Sequence, residues 1–161
     1  MILTGTEIRK QRNSGRITIE PFVENQINPN SYNYRLGSVI KKYNENTHQF
    51  ETLSIPRDGI ILEPHKMYLG HTQETLGSDF YAMRLIGRSS LGRYGLFLQV
   101  SADLGHTTSC HQWTLELVAA MPIRLYAGMI IGQISFWNNS GEIHCFGKNF
   151  AAHNLPTEGY K

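Results

Sequence analysis

The chain has 161 residues, of which 40% are hydrophobic and 17% are charged, and its formal net charge is +2 at pH 7. These totals predict one globular domain large enough to bury a core, and the weak charge gives no argument for nucleic-acid binding. No apolar run approaches the roughly 20 residues that span a bilayer, and polar residues directly after Leu3 argue against a signal peptide. Cys110 and Cys145 lie far apart and outside any CxxC pattern, so we expect free thiols, no membrane partner and a cytoplasmic location.

The first residues of the chain predict a short helix. Thr4 and Glu7 form a capping box, in which the threonine hydroxyl and the glutamate carboxylate satisfy backbone N–H groups at the helix start. Gly15 is a typical helix stop, because glycine adopts the left-handed conformation without a steric penalty. We therefore expect a helix over Gly5–Asn13.

Short strands are predicted for most of the remaining chain. Gly, Pro, Asn and Asp interrupt it about every 8–12 residues, with β-branched and aromatic runs between them. This density favours an all-β sandwich or barrel over βαβ units. The polar residues 149–161 contain Gly and Pro, so we expect a loose tail after a domain that covers residues 1–148. The expected strands are Arg16–Glu20, Ser31–Leu36, Val39–Tyr43, Gly59–Leu62, Met67–Thr72, Phe80–Ile86, Leu96–Ser101, Gln112–Val118, Ile123–Tyr126, Ile130–Phe136 and Ile143–Cys145.

A segment rich in arginine, serine and glycine stands between two of these strands. It contains Arg88, Ser89, Ser90 and Arg93. Guanidinium forks and short hydroxyls suit phosphate oxygens, and glycine lets the backbone approach a ligand closely. The segment matches neither a GxxxxGK[ST] nor a GxGxxG pattern. Two plain surface arginines are the alternative interpretation, but the serine pair, the glycines and the core-like flanking strands favour an anion-binding loop.

Glu116 is the acidic residue of an otherwise largely apolar predicted strand. Alternation places Leu115 and Leu117 on one face, and Thr114, Glu116 and Val118 on the other. The carboxylate then faces either solvent or an enclosed site. In an enclosed site, burial or a neighbouring arginine would shift its pKa and make it a possible proton carrier.

His106, Cys110 and His111 are residue types that bind zinc. Adjacent Cys110 and His111 point in opposite directions on a strand, however, and no fourth ligand is apparent. A polar loop is therefore the favoured interpretation. The HxE and PCxxC signature of zinc deaminases is absent, and so is a GxSxG nucleophile elbow.

With these residues assembled, the chain resembles the dCTP deaminase branch of the dCTP deaminase/dUTPase superfamily over nearly its whole length. Each motif alone is weak, but several in the family's order are specific. The segments that carry the resemblance are the opening helix and strand over 1–17, INPNSYNYRLG over 27–37, GRSSLGR over 87–93, TLELV over 114–118, and PIRL and GMIIGQ within 122–133.

The resemblance implies a distorted β-barrel of jelly-roll type and a homotrimer with active sites between subunits. It also implies hydrolytic deamination of a cytosine nucleotide without zinc, with dCTP converted to dUTP and ammonia. In that scheme Glu116 takes a proton from the attacking water and passes it towards N3 and the leaving ammonia. Arg93 would hold Glu116 and the water in place, and Ser89 would donate a hydrogen bond nearby.

The same resemblance implies how the nucleotide binds. Arg88, Ser89 and Ser90 would bind the phosphates. A magnesium ion would share the phosphate charge without direct ligands from the protein. The polar tail would fold over the bound nucleotide, which excludes water and completes the site. The residues implied near the base, the sugar or the closing tail are Gln99, Ser101, Ala102, His106, Thr114, Tyr160 and Lys161.

Departures from the family pattern affect the expected product and substrate. His106 stands where the family usually has an aspartate near the sugar, and nearby Asp103 is not expected to replace it. Asn33 and Ile86 also stand where acidic residues are usual. Weak or absent dUTP hydrolysis is the simplest consequence. The alternatives are another cytosine nucleotide (CTP, dCMP or CMP), a dUTPase-like pyrophosphohydrolase, and a non-catalytic nucleotide-binding protein.

Overall fold

The computed structural model describes residues 1–145 and 154–159. Helix α1 spans Gly5–Asn13, as predicted. The Thr4 hydroxyl accepts a hydrogen bond from the backbone N–H of Glu7 at 3.3 Å, and Ile8 is fully buried in the core. Gly15 follows with a φ of +76°, which ends the helix.

Strands make up most of the rest of the described chain, so the predicted mainly-β class is confirmed. A 3-10 turn, Glu24–Gln26, precedes β2, and another short helix, α2, spans Ser89–Arg93. The strands are β1 Thr18–Glu20, β2 Tyr32–Arg35, β3 Val39–Asn44, β4 Gln49–Ser54, β5 Ile60–Leu62, β6 Met67–Gly77, β7 Tyr81–Gly87, β8 Leu96–Leu98, β9 Leu104–Gly105, β10 Cys110–Ala119, β11 Ile123–Leu125 and β12 Ile130–Asn138.

The described strands form three sheets rather than one closed barrel. The largest sheet has the order β4-β3-β6-β10-β8, and β1 also pairs with β6. A four-stranded sheet has the order β2-β12-β7-β9, and β5 pairs with β11. All pairs among the described strands are antiparallel. Helix α2 connects β7 to β8 and therefore carries the chain from one sheet to the other.

Several predicted elements differ from the structure. Ile143–Cys145 is not a strand; these residues are exposed and have no strand partner among the described residues. Strand β4 was missed because its side chains lie mostly at the surface of an edge strand, which leaves no apolar alternation. Strand β6 continues to Gly77 because β1 and β10 both pair with its second half.

The arginine- and serine-rich segment contains helix α2, where the sequence predicted a loop. Arg88 precedes the helix as its N-cap residue, and Arg93 ends it. Neither helix in the described part of the chain has the length and apolar character needed to cross a membrane.

One hydrophobic core lies between the two larger sheets. Tyr34 and Phe136 enter it from the four-stranded sheet, Leu76 and Leu117 enter it from the six-stranded sheet, and Ile8 enters it from α1. All five side chains are fully buried. The core therefore fixes one face of β6 and β10 and leaves the opposite face of these strands to form a site.

Candidate active site

Glu116 lies near the middle of β10, on the face of the sheet that points away from the core. Leu115 and Leu117 are fully buried on the opposite face, so the strand alternates as predicted. The half-buried Glu116 side chain accepts a hydrogen bond from the backbone N–H of Ser101 to its Oε2 at 2.9 Å. Its Oε1 has no hydrogen-bond partner among the described residues, so one carboxylate oxygen is fixed while the other is available to a ligand or water.

Hydrogen bonds of the Gln99 side chain connect the loop after β8 to β10, the strand that carries Glu116. Its Oε1 accepts the backbone N–H of Glu116 at 2.8 Å, and its Nε2 donates to the carbonyl of Ala102 at 2.9 Å. A φ of +51° turns the chain sharply at Gln99. The predicted strand was therefore too long at its end: β8 stops at Leu98, and the turn brings the N–H of Ser101 to the carboxylate.

A cavity of about 680 Å³ opens beside Glu116, a volume in the range of small-molecule sites. Much of its wall is apolar, with contributions from β4, β6 and β10. Five of the predicted site residues line it: Gln99, Ala102, His106, Thr114 and Glu116.

The Arg–Ser helix, which we define as Arg88 with α2, lies elsewhere on the same chain. None of its predicted site residues (Arg88, Ser89, Ser90 and Arg93) is among the residues that line the cavity. The chain just after the helix is anchored at the far end of β10, where the carbonyl of Gly95 accepts the N–H of Ala120 at 2.7 Å. Ala120 lies four residues after Glu116, which corresponds to roughly 13 Å along an extended strand.

Leu91 packs the Arg–Ser helix against the core, whereas the polar side chains of the helix face outwards. Ser89, Ser90 and Arg93 are exposed, and Arg88 is half-buried. Within residues 1–145 and 154–159, the side chains of these four residues form no hydrogen bond or ion pair. One chain therefore carries both predicted halves of the site, but it does not bring them together.

The backbone just before the Arg–Ser helix is held by two side chains that the sequence did not assign to the site. The Tyr34 hydroxyl donates to the carbonyl of Ile86 at 3.2 Å, and Gln133 Nε2 donates to the carbonyl of Gly87 at 3.4 Å. Ser31 Oγ donates in turn to Gln133 Oε1 at 2.7 Å. The base of the helix is therefore fixed, although its functional groups remain open. The pairing of β12 with both β2 and β7 brings these residues together.

His106 lines the cavity directly after β9, whereas Asp103 does not. The Asp103 Oδ2 accepts a hydrogen bond from Arg84 Nε at 2.5 Å, so its carboxylate is held by an arginine outside the cavity. The carboxylates that do line the cavity belong to Glu116 and Glu158.

The three zinc-type residues do not converge on one point. His111 is buried, its Nδ1 lies 2.9 Å from the carbonyl of Gln112, and its ring centroid lies 4.2 Å from that of Trp113. Cys110 is half-buried, and burial raises the pKa of its thiol. In the part of the chain that the structure describes, no three His, Cys, Asp or Glu side chains are placed to share a metal ion. The polar loop predicted for these residues is wrong for two of them, because Cys110 and His111 belong to β10; only His106 lies in the turn between β9 and β10.

The C-terminal segment, defined as residues 154–159, lies against the cavity. The backbone N–H of Thr157 donates to the hydroxyl of Thr114 at 3.1 Å, and residues 157–159 line the cavity. Two further predicted contact residues, Tyr160 and Lys161, lie outside the described residues.

Comparison with known proteins gives consistent matches. The dCTP deaminase-like family matches residues 2–139. A "dCTP deaminase, dUMP-forming" from Clostridium acetobutylicum is 43% identical over 148 residues, which cover 88% of this chain and 85% of that protein. A protein of the same name from Cytophaga hutchinsonii is 40% identical over 160 residues, which cover 96% of this chain and 92% of that protein.

A solved structure shares the fold. The crystal structure of 2′-deoxycytidine 5′-triphosphate deaminase from Agrobacterium tumefaciens matches with a TM-score of 0.72 at 20% identity, over 86% of this chain. The match covers 48% of that chain, so this protein spans about half of its length.

The match over residues 2–139 and the identities of 43% and 40% along most of the chain confirm the predicted family. They also confirm the predicted class of enzyme, a hydrolase that acts on a cyclic amidine. The chain belongs to the dCTP deaminase-like family.

Proposed function

We propose that this protein deaminates dCTP by hydrolysis and that Glu116 carries the proton. The observation that supports this most strongly is the placement of Glu116: one carboxylate oxygen is fixed by the N–H of Ser101, and the side chain lines a cavity of about 680 Å³. A fixed carboxylate with a second, available oxygen is suited to accept a proton from water and to return it.

The proposed reaction balances with one water and one carboxylate. Glu116 accepts a proton from water as the water oxygen bonds to C4 of the cytosine ring, and this proton is delivered to N3. The hydroxyl proton of the resulting tetrahedral carbon then passes through Glu116 to the amino group. The C4–N bond breaks, ammonia leaves and a uracil ring remains. No zinc is used in this sequence.

The proposed active site combines two chains of a homotrimer. Each chain supplies the cavity with Glu116, and its neighbour supplies the Arg–Ser helix, whose arginine and serine side chains form no hydrogen bond or ion pair with the described residues of their own chain. An apolar row on the same face as Glu116 supports a subunit contact. Phe97, Val118 and Met67 pair in register across β8, β10 and β6, and Phe97 and Met67 are 49% and 45% exposed.

In this arrangement Arg93 of the neighbouring chain would stand against Glu116, and Ser89 would donate a hydrogen bond beside it. Arg88, Ser89 and Ser90 would bind the phosphates. These arginine and serine donors fit phosphate oxygens rather than a metal ion, which agrees with Mg²⁺ held by the nucleotide. The bound ion would neutralise part of the triphosphate charge.

We propose dUTP as the main product. The cavity offers His106 where the family usually has an aspartate, and Asp103 is held by Arg84 outside it. Release of dUMP is the second candidate, and it is favoured by the two relatives that are 43% and 40% identical, both of which are named as dUMP-forming. Pyrophosphate measured alongside ammonia separates the two products.

In this proposal residues 1–148 form the β-sheet domain that carries the site, and residues 149–161 form the tail that closes it. Residues 157–159, which line the cavity, support closure by the tail. We also place the reaction in the cytoplasm, where pyrimidine nucleotides are metabolised; both free cysteines suit a reducing compartment.

The test uses purified protein with dCTP, CTP, dCMP, CMP and dUTP, assayed separately for ammonia and pyrophosphate. Mg²⁺ is present in excess, with a zinc-selective chelator. We expect ammonia from dCTP, and we expect Glu116→Gln to lower turnover by about 10²–10⁴-fold while nucleotide still binds. The control variant Glu63→Gln alters a surface carboxylate outside the cavity and should retain full turnover. Undiminished turnover by Glu116→Gln would rule out this mechanism.

A further inference from the structure

Lys41 lies in the same row of side chains as Glu116. It pairs with Leu69 across β3 and β6, and Leu69 pairs with Glu116 across β6 and β10. Directly paired residues point to the same face of a sheet, and three neighbouring strands place the backbones of Lys41 and Glu116 roughly 10 Å apart. Lys41 is therefore a basic residue near the rim of the cavity, on the face that bears the proposed catalytic carboxylate.

The Lys41 ammonium is bound by the C-terminal segment. Its Nζ lies 2.7 Å from Oε1 of Glu158, and the two side chains are 21% and 43% exposed. Glu158 itself lines the cavity. Among the described residues, this is the ion pair that ties residues 154–159 to the body of the protein.

The segment also makes hydrogen bonds to β10. Asn154 Oδ1 accepts the backbone N–H of Gln112 at 3.1 Å, and Thr114 Oγ1 accepts the N–H of Thr157 at 3.1 Å. Residues 154–159 form no helix or strand, and such surface segments belong to the low-stability end of a protein. A single exposed ion pair adds little to the stability of the whole fold. It can nevertheless change several-fold the fraction of molecules in which such a segment lies against the cavity.

We propose that Lys41 is a positioning residue for the reaction: through Glu158 it holds the C-terminal segment as a wall of the cavity. The pair also neutralises Glu158, whose carboxylate would otherwise stand uncompensated in a site for an anionic nucleotide. Lys41 does not touch the reacting atoms. The proposal rests on the proposed function for its kinetic consequences alone, since the contact itself is present without a nucleotide.

A charge-swap experiment tests the pair. Lys41→Glu and Glu158→Lys each place two like charges together, so we expect each to raise the KM for dCTP about 3–10-fold with a smaller change in kcat. The double variant restores opposite charges, and its KM should return to within about twofold of wild type. A general structural role would not produce this recovery.

Lys42 and Glu63 provide the matched control. They form an ion pair at 3.4 Å, and neither lines the cavity. Lys42 follows Lys41 on β3 and therefore points to the other face. Lys42→Glu should leave the KM for dCTP at the wild-type value. An equal rise in KM for Lys42→Glu and Lys41→Glu would overturn the proposal, because the effect would then be a general loss of positive charge.

Hydrogen exchange of the unliganded protein provides a readout that does not depend on activity. The amide of Thr157, which donates to Thr114, should exchange about 3–10-fold faster in Lys41→Met than in wild type, and Lys42→Met should not change it. Equal exchange in all three proteins would overturn the proposal even if dCTP is deaminated. Conversely, a wild-type protein without deaminase activity would refute the proposed function while the exchange result still decides the role of Lys41.

Nucleotide binding by Glu158→Gln gives a further test. Tighter binding than in wild type would overturn the proposed role of Lys41, because Glu158 would then act only by repelling the nucleotide.

Discussion

Replacement of Glu74 by glutamine should strongly destabilise the fold. The Glu74 side chain is 0% exposed and lies on β6. Its Oε1 accepts Arg35 Nε at 2.7 Å, and its Oε2 accepts the backbone N–H of Arg35 at 2.8 Å. Both carboxylate oxygens thus face donors, so the amide of Glu74→Gln must direct its NH₂ group at one of them. The charge that compensates the guanidinium is lost at the same time.

The size of the effect follows from burial. Removal of one partner from a buried ion pair costs about 3–5 kcal/mol, because the remaining charge stays uncompensated. The Arg35 side chain is 19% exposed and can regain some water, so we expect about 2–3 kcal/mol for Glu74→Gln. In a protein of this size that lowers Tm by roughly 4–12 °C.

Urea unfolding at pH 7, followed by tryptophan fluorescence at one fixed protein concentration, measures this loss. A fixed concentration is needed because subunit assembly also contributes to stability. The control is Glu63→Gln, which alters an exposed carboxylate next to Lys42 and Lys66 and should leave the midpoint unchanged. A Glu74→Gln midpoint equal to that of wild type would show that the pair contributes no net stability.

Three further changes test other parts of the account. Tyr34→Phe removes the hydroxyl that donates to the carbonyl of Ile86. We expect the free energy of unfolding in urea to fall by about 1 kcal/mol and the KM for dCTP to rise. An unchanged KM would mean that Tyr34 does not position the Arg–Ser helix. Gly132→Ala places a Cβ 2.2 Å from the Tyr34 ring in the core and should cost about 1–3 kcal/mol by the same measurement; unchanged stability would contradict the tight packing there. Burial lowers the pKa of His71 below its ordinary value of 6.5 in the folded protein. The unfolded chain therefore binds a proton at a pH where the folded chain does not, and the free energy of unfolding should fall as the pH drops below about 6.5. His71→Leu should lose that part of the pH dependence, and identical slopes for variant and wild type between pH 7.5 and 5.5 would exclude the effect.

Local sequence signals predicted the local parts of the structure. Thr4 marked the start of α1 because its hydroxyl accepts the N–H of Glu7 one turn away, whereas the Glu7 carboxylate accepts Gln11 Nε2 rather than completing the predicted capping box. Alternation placed Glu116 opposite buried Leu115 and Leu117, since one buried face requires a period of two. The five predicted residues that line the cavity were assigned to the site through family motifs rather than from spacing, and the rest of the cavity wall was not predicted.

The remaining features depend on long-range contacts that no local pattern encodes. Lys41 and Glu158 are separated by 117 positions, and their pairing requires both the register of β3 and the path of the C-terminal segment. Gln99 adopts a positive φ although it is not glycine, because its side chain bonds both Glu116 and Ala102. The strand predicted through Ser101 therefore ended early, and the turn that fixes the Glu116 carboxylate was missed.

The central claim is that Glu116 of one chain works with the Arg–Ser helix of its neighbour on a cytosine nucleotide. The most direct test mixes two inactive variants, Glu116→Gln and Arg93→Ala, as subunits reassorted in equal amounts. Sites that combine an intact Glu116 with an intact Arg93 from different chains should restore about a quarter of wild-type dCTP deamination. If reassorted trimers of the two variants form but stay as inactive as each variant alone, the site is not shared between chains and the account is wrong.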